Sequence, residues 1–249
     1  MARPKDEEHI HGVHPVTEAL RAGRRRIFQV YVHARRGGPS ARLTELADAA
    51  VAAGVPVETV SADTLAGMAG TDAHQGAVAR VSLLPIVNPE DLRTSPAPFL
   101  LILDGLEDPQ NVGALIRTAV CAGVDGVIIP KDRAAPPSPT VSRASAGALE
   151  HVRLARVTNL ARTLEGLKSR DVWIVGLDRS EGGDLYDANL TGALGLVIGG
   201  ERRGLRPLIR KHCDFLVSIP QMRTVDSLNA SAAGAIALYE SVRQRLNII

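Results

Sequence analysis

A chain of 249 residues, 45% of them hydrophobic and with a formal net charge of +2, is large enough for one large domain or two modest ones. No run approaches the ~18 apolar residues of a membrane-spanning helix, and the charged start MARPKDEEH fits neither a signal peptide nor a transit peptide. Two cysteines without metal-type spacing favour a reduced, cytoplasmic protein without a membrane partner.

The first part of the chain has the pattern of a small α/β unit. HPVTEALRAG (14–23) predicts a helix that ends at Gly23, and SARLTELADAAVAAG (40–54) predicts a second helix with Gly54 just past its end. Strands are predicted at 27–33, 55–60 and 75–83. We therefore predict a first domain over residues 1–82.

An arginine-rich segment lies inside this first domain. Seven arginines and no acidic residue occur from Arg21 to Arg42. The guanidinium group is a planar fork that matches phosphate, so the segment is a candidate contact for an RNA backbone. A solvated surface is an equally good interpretation, since GC-rich coding also produces arginine. The candidate RNA-binding residues are Arg21, Arg24, Arg25, Arg26, Arg35 and Arg36.

The hydrophobic pattern of the chain changes after a proline-rich segment. PIVNPEDLRTSPAP (85–98) holds four prolines and predicts a linker, placed at 83–98. From Phe99 onward, short and almost wholly apolar runs alternate with helical segments. Continuous hydrophobicity indicates strands covered on both faces, and the alternation indicates a parallel, doubly wound sheet. We predict an α/β domain over 99–249, with strands at 99–103, 126–130, 172–177, 194–199 and 215–220.

Polar residues that follow these strands are the candidate site, because ligands of such sheets bind at the carboxyl ends of strands. Asn111 is predicted to cap a helix, and Arg117 lies well off its apolar stripe. Glu201 is predicted near the start of the helix after the fourth strand. The pair Gly199-Gly200 allows close backbone approach but matches neither the P-loop nor the Rossmann glycine pattern. A capping or solvated role is the competing interpretation for Asn111, Arg117 and Glu201.

The segment SIPQMRTVDSLNAS (218–231) carries more hydrogen-bonding side chains than one helix cap needs. Ser227 and Asn229 lie at the start of a predicted helix, and one of them can cap it. The apolar stripe predicted for that helix is Leu228, Ala232, Ala235, Ile236, Tyr239 and Val242. The polar side chains that do not cap the helix are therefore candidates for a functional site.

Other catalytic patterns do not occur in the sequence, which has no GxSxG, HExxH or CxxC. His9, His11 and His14 have a spacing that fits a mobile chain end about as well as a metal site. We predict no metal site.

Three segments taken in this order resemble the motifs of a known family: LDGLEDPQNVGALIRTA, LVIGGERRGL and SIPQMRTVDSLNASAA. They are similar to the three motifs of the SpoU (TrmH-type) RNA 2′-O-ribose methyltransferases of the SPOUT class. HGVHPVTEAL and HQGAVARV resemble that family's first, L30e-type RNA-binding domain. VIIPKDRAA, RVTNLARTLE, LIRKHCD and ESVRQR are most similar to the branch that methylates one guanosine ribose in the peptidyl-transferase region of 23S rRNA.

The resemblance implies a cofactor, a substrate and an assembly. It implies S-adenosyl-L-methionine as methyl donor, 23S rRNA as partner, a deep trefoil knot in the C-terminal domain, and a homodimer through that domain. It implies catalytic roles for Asn111, Arg117, Glu201, Ser227 and Asn229, with Asn111 and Glu201 fixing the arginine. It implies cofactor contacts from Gly199, Gly200, Ile219, Pro220 and Leu228.

One stretch departs from the family pattern. The family has IPM-x-G before SLN, whereas this chain has Ile219-Pro220-Gln221-Met222-Arg223 at the same length. Arg223 either gains a phosphate contact or points to solvent. Three alternative functions stay open: a tRNA 2′-O-ribose methyltransferase, a 23S rRNA methyltransferase that confers antibiotic resistance, and a non-catalytic RNA-binding assembly protein. The L30e-like domain argues against the first, and the presence of all five motif residues argues against the third.

Overall fold

The computed structural model describes residues 6–33, 38, 40–179, 182–201, 203–222 and 228–246. The chain divides into two compact units. The first comprises the chain up to Pro85 together with Pro137–His151, and the second comprises Ile86–Pro136 together with Val152–Ile249. Nothing in the sequence pattern indicates that 137–151 folds with the first unit, and the domain boundaries predicted from the sequence stay a prediction.

The first unit is built on a mixed sheet. Its elements begin with β1 (Glu7–His11), α1 (Val13–Ala22), β2 (Ile27–His33), α2 (Ala41–Ala52), β3 (Val57–Val60), α3 (Ala62–Ala69) and β4 (Ala77–Ser82). The strand order is β1-β4-β2-β3, with β4 antiparallel to both neighbours and β2 parallel to β3. Both predicted helices and all three predicted strands are confirmed. β1 and α3 were not predicted, since short elements carry little periodicity.

A buried ion pair lies in the first unit. The Arg25 side chain is 1% exposed, and its Nε and Nη2 each donate to the Glu150 carboxylate at 2.7 Å. Its Nη1 donates to Glu8 Oε1 at 2.6 Å, and Ser142 Oγ donates to Glu150 at 2.9 Å. Arg25 was a candidate RNA contact, and the structure corrects this: its guanidinium is enclosed by carboxylates and is not available to a phosphate.

The second unit continues the chain order. Its strands are β5 (Ile86–Val87), β6 (Phe99–Asp104), β7 (Gly126–Pro130), β8 (Leu154–Val157), β9 (Trp173–Leu177), β10 (Gly183–Asp184), β11 (Leu194–Gly199) and β12 (Phe215–Ser218). Its helices are α4 (Pro109–Cys121), α6 (Leu160–Lys168), α7 (Pro207–His212) and α8 (Ala230–Arg245), while α5 (Pro139–Ala144) belongs to the first unit. Short 3-10 turns cover Pro89–Leu92 and Ala148–Glu150.

These strands form one parallel sheet, as predicted. In the described residues the order is β10-β12-β9-β11-β6-β7-β8-β5, and every neighbouring pair is parallel. All residues of β6, β7 and β11 are buried, which explains their continuous apolar sequence. Gly199 pairs with Asp104 and Ile198 with Leu177, so β6, β9 and β11 end side by side. Ile86–Val87, inside the predicted linker, pairs with β8.

Two helix starts differ from the prediction. The N-cap of α4 is Asp108, whose carboxylate accepts the Gln110 N–H at 3.0 Å, and Pro109 takes the first helical position. A proline with its preset φ begins the helix there, so Asn111 lies inside the first turn rather than at the cap. Glu201 does not start a helix either, since α7 begins only at Pro207. Neither side chain is explained by capping.

The buried face of α8 also differs from the predicted stripe. The buried residues are Ala230, Gly234, Ala237, Leu238, Glu240 and Ser241. An ideal Cβ at Gly234 would lie 2.3 Å from Leu115 Cδ2, so small residues let α8 pack closely on α4. Tyr239 of the predicted stripe is 51% exposed instead. The hydropathy pattern predicted the wrong face of α8, because close packing against α4 requires small residues rather than large apolar ones.

The described helices include none that combines the length and the hydropathy required to cross a bilayer.

Candidate functional site

A tight glycine loop ends β11. Gly200 N–H donates to the Asp104 carbonyl at 3.0 Å, and Gly204 N–H donates to the Gly200 carbonyl at 2.8 Å. An ideal Cβ at Gly199 would lie 2.2 Å from the Gly204 carbonyl carbon. One at Gly200 would lie 2.3 Å from the Gly105 carbonyl oxygen. These positions therefore need glycine because backbone, rather than a movable side chain, occupies the space.

We expect Gly199→Ala to lower the free energy of unfolding of the second unit by about 3 kcal/mol, since the loop must shift to admit the methyl group. The protein's one tryptophan, Trp173, lies on the neighbouring strand β9, so urea denaturation followed by its fluorescence reports this unit. Gly166→Ala is the matched control. Nothing lies within 4 Å of a Cβ there, inside α6, and stability should rise by about 0.5–1 kcal/mol. Equal midpoints for Gly199→Ala and wild type would contradict the expectation.

A cavity of about 310 Å³ opens beside this loop. It is lined by the ends of β9 and β11, the segment around Ile219 and Leu228, and the start of α8. Four of the five predicted cofactor contacts line it, namely Gly199, Gly200, Ile219 and Leu228. Pro220 is not among the described lining residues. The sequence prediction and the cavity therefore coincide in position.

Charged residues that the sequence prediction missed also line this cavity. Asp178 directly follows β9, and Arg210 Nη2 donates to its Oδ1 at 3.2 Å. Arg179 and Arg203 are further cationic lining residues. Asp178 could have been found, because it follows a predicted strand as Glu201 does. The cavity thus presents both carboxylates and guanidiniums, which suits a ligand with groups of both charges.

A chain of hydrogen bonds joins three of the predicted catalytic residues. Asn111 Nδ2 donates to Glu201 Oε1 at 2.6 Å, and Asn229 Nδ2 donates to Asn111 Oδ1 at 3.0 Å. Asn229 Oδ1 accepts the N–H groups of Ser231 and Ala232 at 2.9 and 3.3 Å, so Asn229 is the N-cap of α8. The network links the first turn of α4, the glycine loop and the start of α8.

Arg117 is not part of this network. It is exposed on α4 and forms no hydrogen bond or ion pair with the described residues. In the described residues Asn111 and Glu201 bond to each other rather than to Arg117, and the expectation that they fix Arg117 stays a prediction. Ser227, Arg35 and Arg36 lie outside the described residues, and their assigned roles stay predictions.

The Cys213 thiol of the second unit is not a candidate nucleophile. Burial raises the pKa of Cys213 to about 12, with Asp214 adding to the shift, so the thiol is neutral near pH 7. Within the described ranges, no three His, Cys, Asp or Glu side chains are grouped so that they could hold a metal ion.

Comparison with known proteins covers both units. Residues 98–239 match the model of the SpoU rRNA Methylase family, and residues 9–86 match the model described as RNA 2′-O ribose methyltransferase substrate binding. The chain is 42% identical over 243 residues to the 23S rRNA (guanosine-2′-O-)-methyltransferase RlmB of Vibrio parahaemolyticus, covering 96% of this chain and 98% of that one. It is 44% identical over 237 residues to RlmB of Ralstonia nicotianae, covering 94% of each chain.

Solved structures have the same fold. The SpoU methyltransferase AviRb from Streptomyces viridochromogenes, in complex with the cofactor AdoMet, is 28% identical and superposes with a TM-score of 0.82, covering 97% of this chain and 91% of that one. An AdoMet-bound rRNA methyltransferase from Sinorhizobium meliloti superposes with a TM-score of 0.80 over 98% of this chain and 88% of that one, and at 24% identity it supports the fold alone.

Proposed function

Since this chain belongs to the SpoU rRNA methylase family, we propose that it transfers a methyl group from S-adenosyl-L-methionine to the ribose 2′-hydroxyl of a guanosine in 23S rRNA. The observation that carries the proposal is the relationship along nearly the whole chain to relatives named for that activity. A structure concerned with 2-OH methylation of C/U34 on tRNA matches only 60% of this chain. The rRNA reaction is therefore favoured over the tRNA alternative.

The cavity beside the glycine loop fits the proposed cofactor. Its apolar walls at Ile198, Leu205 and Ile219 suit a purine ring, and its charged residues suit the ammonium and carboxylate of an amino acid. Asp178 and Glu201 have the charge that matches an ammonium or sulfonium group, and Arg203 has the charge that matches a carboxylate. When bound, the cofactor supplies a methyl group already activated by its sulfonium.

The protein's own residues then have to align the reactants. Positioning the methyl donor and the ribose hydroxyl can by itself lower the activation free energy by about 7–11 kcal/mol. The hydrogen bonds from Asn229 to Asn111 and from Asn111 to Glu201 hold the glycine loop against α4 and α8, and so hold the cavity wall in place. We propose a catalytic role for Ser227 as well, as the family resemblance implies.

Arg117 is proposed to act on the nucleotide. Arginine side chains stay protonated in proteins, so a general-base role is disfavoured. A charged guanidinium can orient a phosphate and stabilise the negative charge that develops on the ribose oxygen. Its exposure, without a partner in the described residues, leaves it available for this contact.

We further propose a homodimer through the second unit, with Arg117 completing a site shared between subunits. The support is the outer face of α8, where Tyr239 is 51% exposed beside Ala232, Ala235 and Ile236. Sedimentation velocity should give a mass about twice the 26.4 kDa of one chain, and a monomer at micromolar concentration would refute the dimer.

Three finer assignments complete the proposal: a trefoil knot in the second unit, an L30e-type fold for the first, and a cytoplasmic location, where bacterial ribosomes assemble. The knot rests on the resemblance of the three motifs to the SPOUT class.

The function is tested by methylating a 23S rRNA transcript in vitro. The purified protein is incubated with S-adenosyl-L-methionine, and the digested RNA is examined by mass spectrometry. We expect one 2′-O-methylguanosine per transcript, and the same nucleoside should disappear from the rRNA of a deletion strain. Methylation of tRNA alone, or none on either RNA, would overturn the proposal.

Arginines at the start of the predicted RNA segment provide a further test. Arg21 is exposed beside Glu18, and Arg26 lies over the Phe28 ring at 5.0 Å. Changing Arg21, Arg24 and Arg26 to Gln should weaken rRNA binding and flatten its salt dependence by about one slope unit per lost phosphate contact. Filter binding at several salt concentrations measures the slope. A charge-matched control changes three arginines of the second unit, Arg153, Arg162 and Arg170. An unchanged slope for the first triple variant would remove that segment from the RNA surface.

A further inference from the structure

A second cavity lies at the carboxyl ends of β7 and β8. Its volume is about 600 Å³, within the range of small-ligand sites. Pro130, Leu160, Ala161 and Ile209 are buried and form an apolar floor. The proposed cofactor and catalytic residues do not account for this cavity.

The second cavity adjoins the first. The Arg133 carbonyl oxygen, on the second cavity, lies 3.9 Å from an ideal Cβ at Gly105. The Gly105 carbonyl oxygen lies 2.3 Å from an ideal Cβ at Gly200, on the first. The chain also passes directly from Leu205, which lines the first, to Arg206, which lines the second. The two cavities are therefore neighbours across the Gly105 backbone, close enough for the base and the ribose of one nucleotide to lie at one cavity each.

The rim of the second cavity has polar side chains that form no hydrogen bond or ion pair with the described residues. Asp132 and Arg133 are exposed and form no hydrogen bond or ion pair with the described residues. Arg133 has a φ of 56°, a left-handed conformation that costs a non-glycine residue energy and is common at binding sites. Asn159 Oδ1 accepts the Arg162 N–H at 3.0 Å, which leaves the Asn159 amide N–H groups as donors. A carboxylate acceptor thus lies beside two donor side chains.

An exposed apolar side chain completes the rim. Leu208 lines the cavity and is 58% exposed, unlike its neighbour Ile209, which is buried. Arg206 is held in place by Asp104, through its backbone N–H at 2.8 Å and its Nε at 2.6 Å. The lining therefore combines apolar side chains with polar and charged ones, as a flat aromatic ligand with polar groups requires.

We propose that this second cavity binds the guanine base of the target nucleotide while its ribose reaches the first cavity, an inference that rests on the proposed function. Guanine presents two neighbouring donors, N1–H and the N2 amine, which the Asp132 carboxylate accepts together. Its O6 and N7 acceptors suit Arg133 or Asn159. Leu208 and the apolar floor contact the ring faces. Adenine, cytosine and uracil lack the neighbouring donor pair, so Asp132 determines base specificity.

Inosine tests the assignment because it lacks only the N2 amine. We expect wild-type kcat/KM to fall about 10- to 100-fold when the target guanosine of a synthetic 23S rRNA fragment becomes inosine. Asp132→Ala should lose a similar factor on the guanosine RNA and should treat the two RNAs within threefold of each other. Its affinity for S-adenosyl-L-methionine, measured by calorimetry, should not change.

Two further variants make the test decisive. Asp132→Asn keeps the shape but accepts only one of the two donors, so it should also lose the preference for guanosine. Asp187→Ala, an exposed aspartate elsewhere in the second unit, should keep it. Retained discrimination in Asp132→Asn and Asp132→Ala, or equal wild-type rates on both RNAs, would overturn the inference while leaving the methyltransferase proposal intact. A wild-type protein inactive on the guanosine RNA would overturn both.

Discussion

Arg117→Ala is expected to lower the single-turnover rate of methyl transfer by about 100- to 1,000-fold, while affinity for S-adenosyl-L-methionine stays within threefold. The reason is that this guanidinium lies on α4 outside the residues that line the cofactor cavity. Its loss removes a charge aimed at the nucleotide and leaves the cavity wall unchanged. Rapid quench with labelled cofactor gives the rate, and calorimetry gives the affinity.

Two further variants define what the Arg117 side chain contributes. Arg117→Lys keeps the charge but not the planar fork. We therefore expect it to restore only the part of the methyl-transfer rate that depends on charge. Arg170→Ala removes another exposed arginine of the second unit and should transfer methyl groups normally. A rate that survives Arg117→Ala, or a cofactor affinity lost with it, would contradict the proposed role.

Glu150→Ala is expected to reduce the free energy of unfolding of the first unit by about 3–5 kcal/mol, because it leaves the buried Arg25 charge without its main partner. Burial by itself lowers the pKa of Arg25, but hydrogen bonds and charge from Glu150 and Glu8 raise it above its usual value, so the guanidinium stays charged. Amide hydrogen exchange in β1 and β4 measures the loss in this unit.

The matched control is Arg21, the exposed member of another ion pair of the same unit. Arg21 is 68% exposed and bonds to Glu18 at 2.7 Å, so Arg21→Ala should cost about 0–1 kcal/mol. Replacing both buried partners, Arg25→Met with Glu150→Leu, should recover part of the stability because no unpaired charge remains. A Glu150→Ala variant as stable as Arg21→Ala would show that the buried pair contributes little.

Several features of the site follow from local sequence alone. The apolar runs at 126–130 and 194–199 match β7 and β11 residue for residue, since strands buried on both faces need continuous hydrophobicity. The rule that polar residues follow such strands located Glu201. The excess of polar residues before α8 left Ser227 and Asn229 as cap candidates, and Asn229 is the cap. The glycine pair at 199–200 predicted either close backbone approach or positive φ, and the structure shows the former.

Other features could not be obtained in that way. Asn111 was predicted as a helix cap, but Asp108 and Pro109 start the helix and leave Asn111 to bond Glu201. Arg25 was grouped with its neighbours in the sequence, but its partner is Glu150. The face of α8 was misassigned because Gly234 packs where a larger residue cannot fit.

The sequence by itself therefore determined the α/β class, the parallel sheet, the family and the segments that carry the site, because these depend on local periodicity and on motifs within single segments. Only the tertiary structure decided which of those side chains meet and which are committed elsewhere. The physical reason is that the deciding contacts join residues far apart in the chain, 90 positions for Asn111 and Glu201 and 125 for Arg25 and Glu150. Such pairs leave no periodic signal, because the chain between them can take many paths until the core packs.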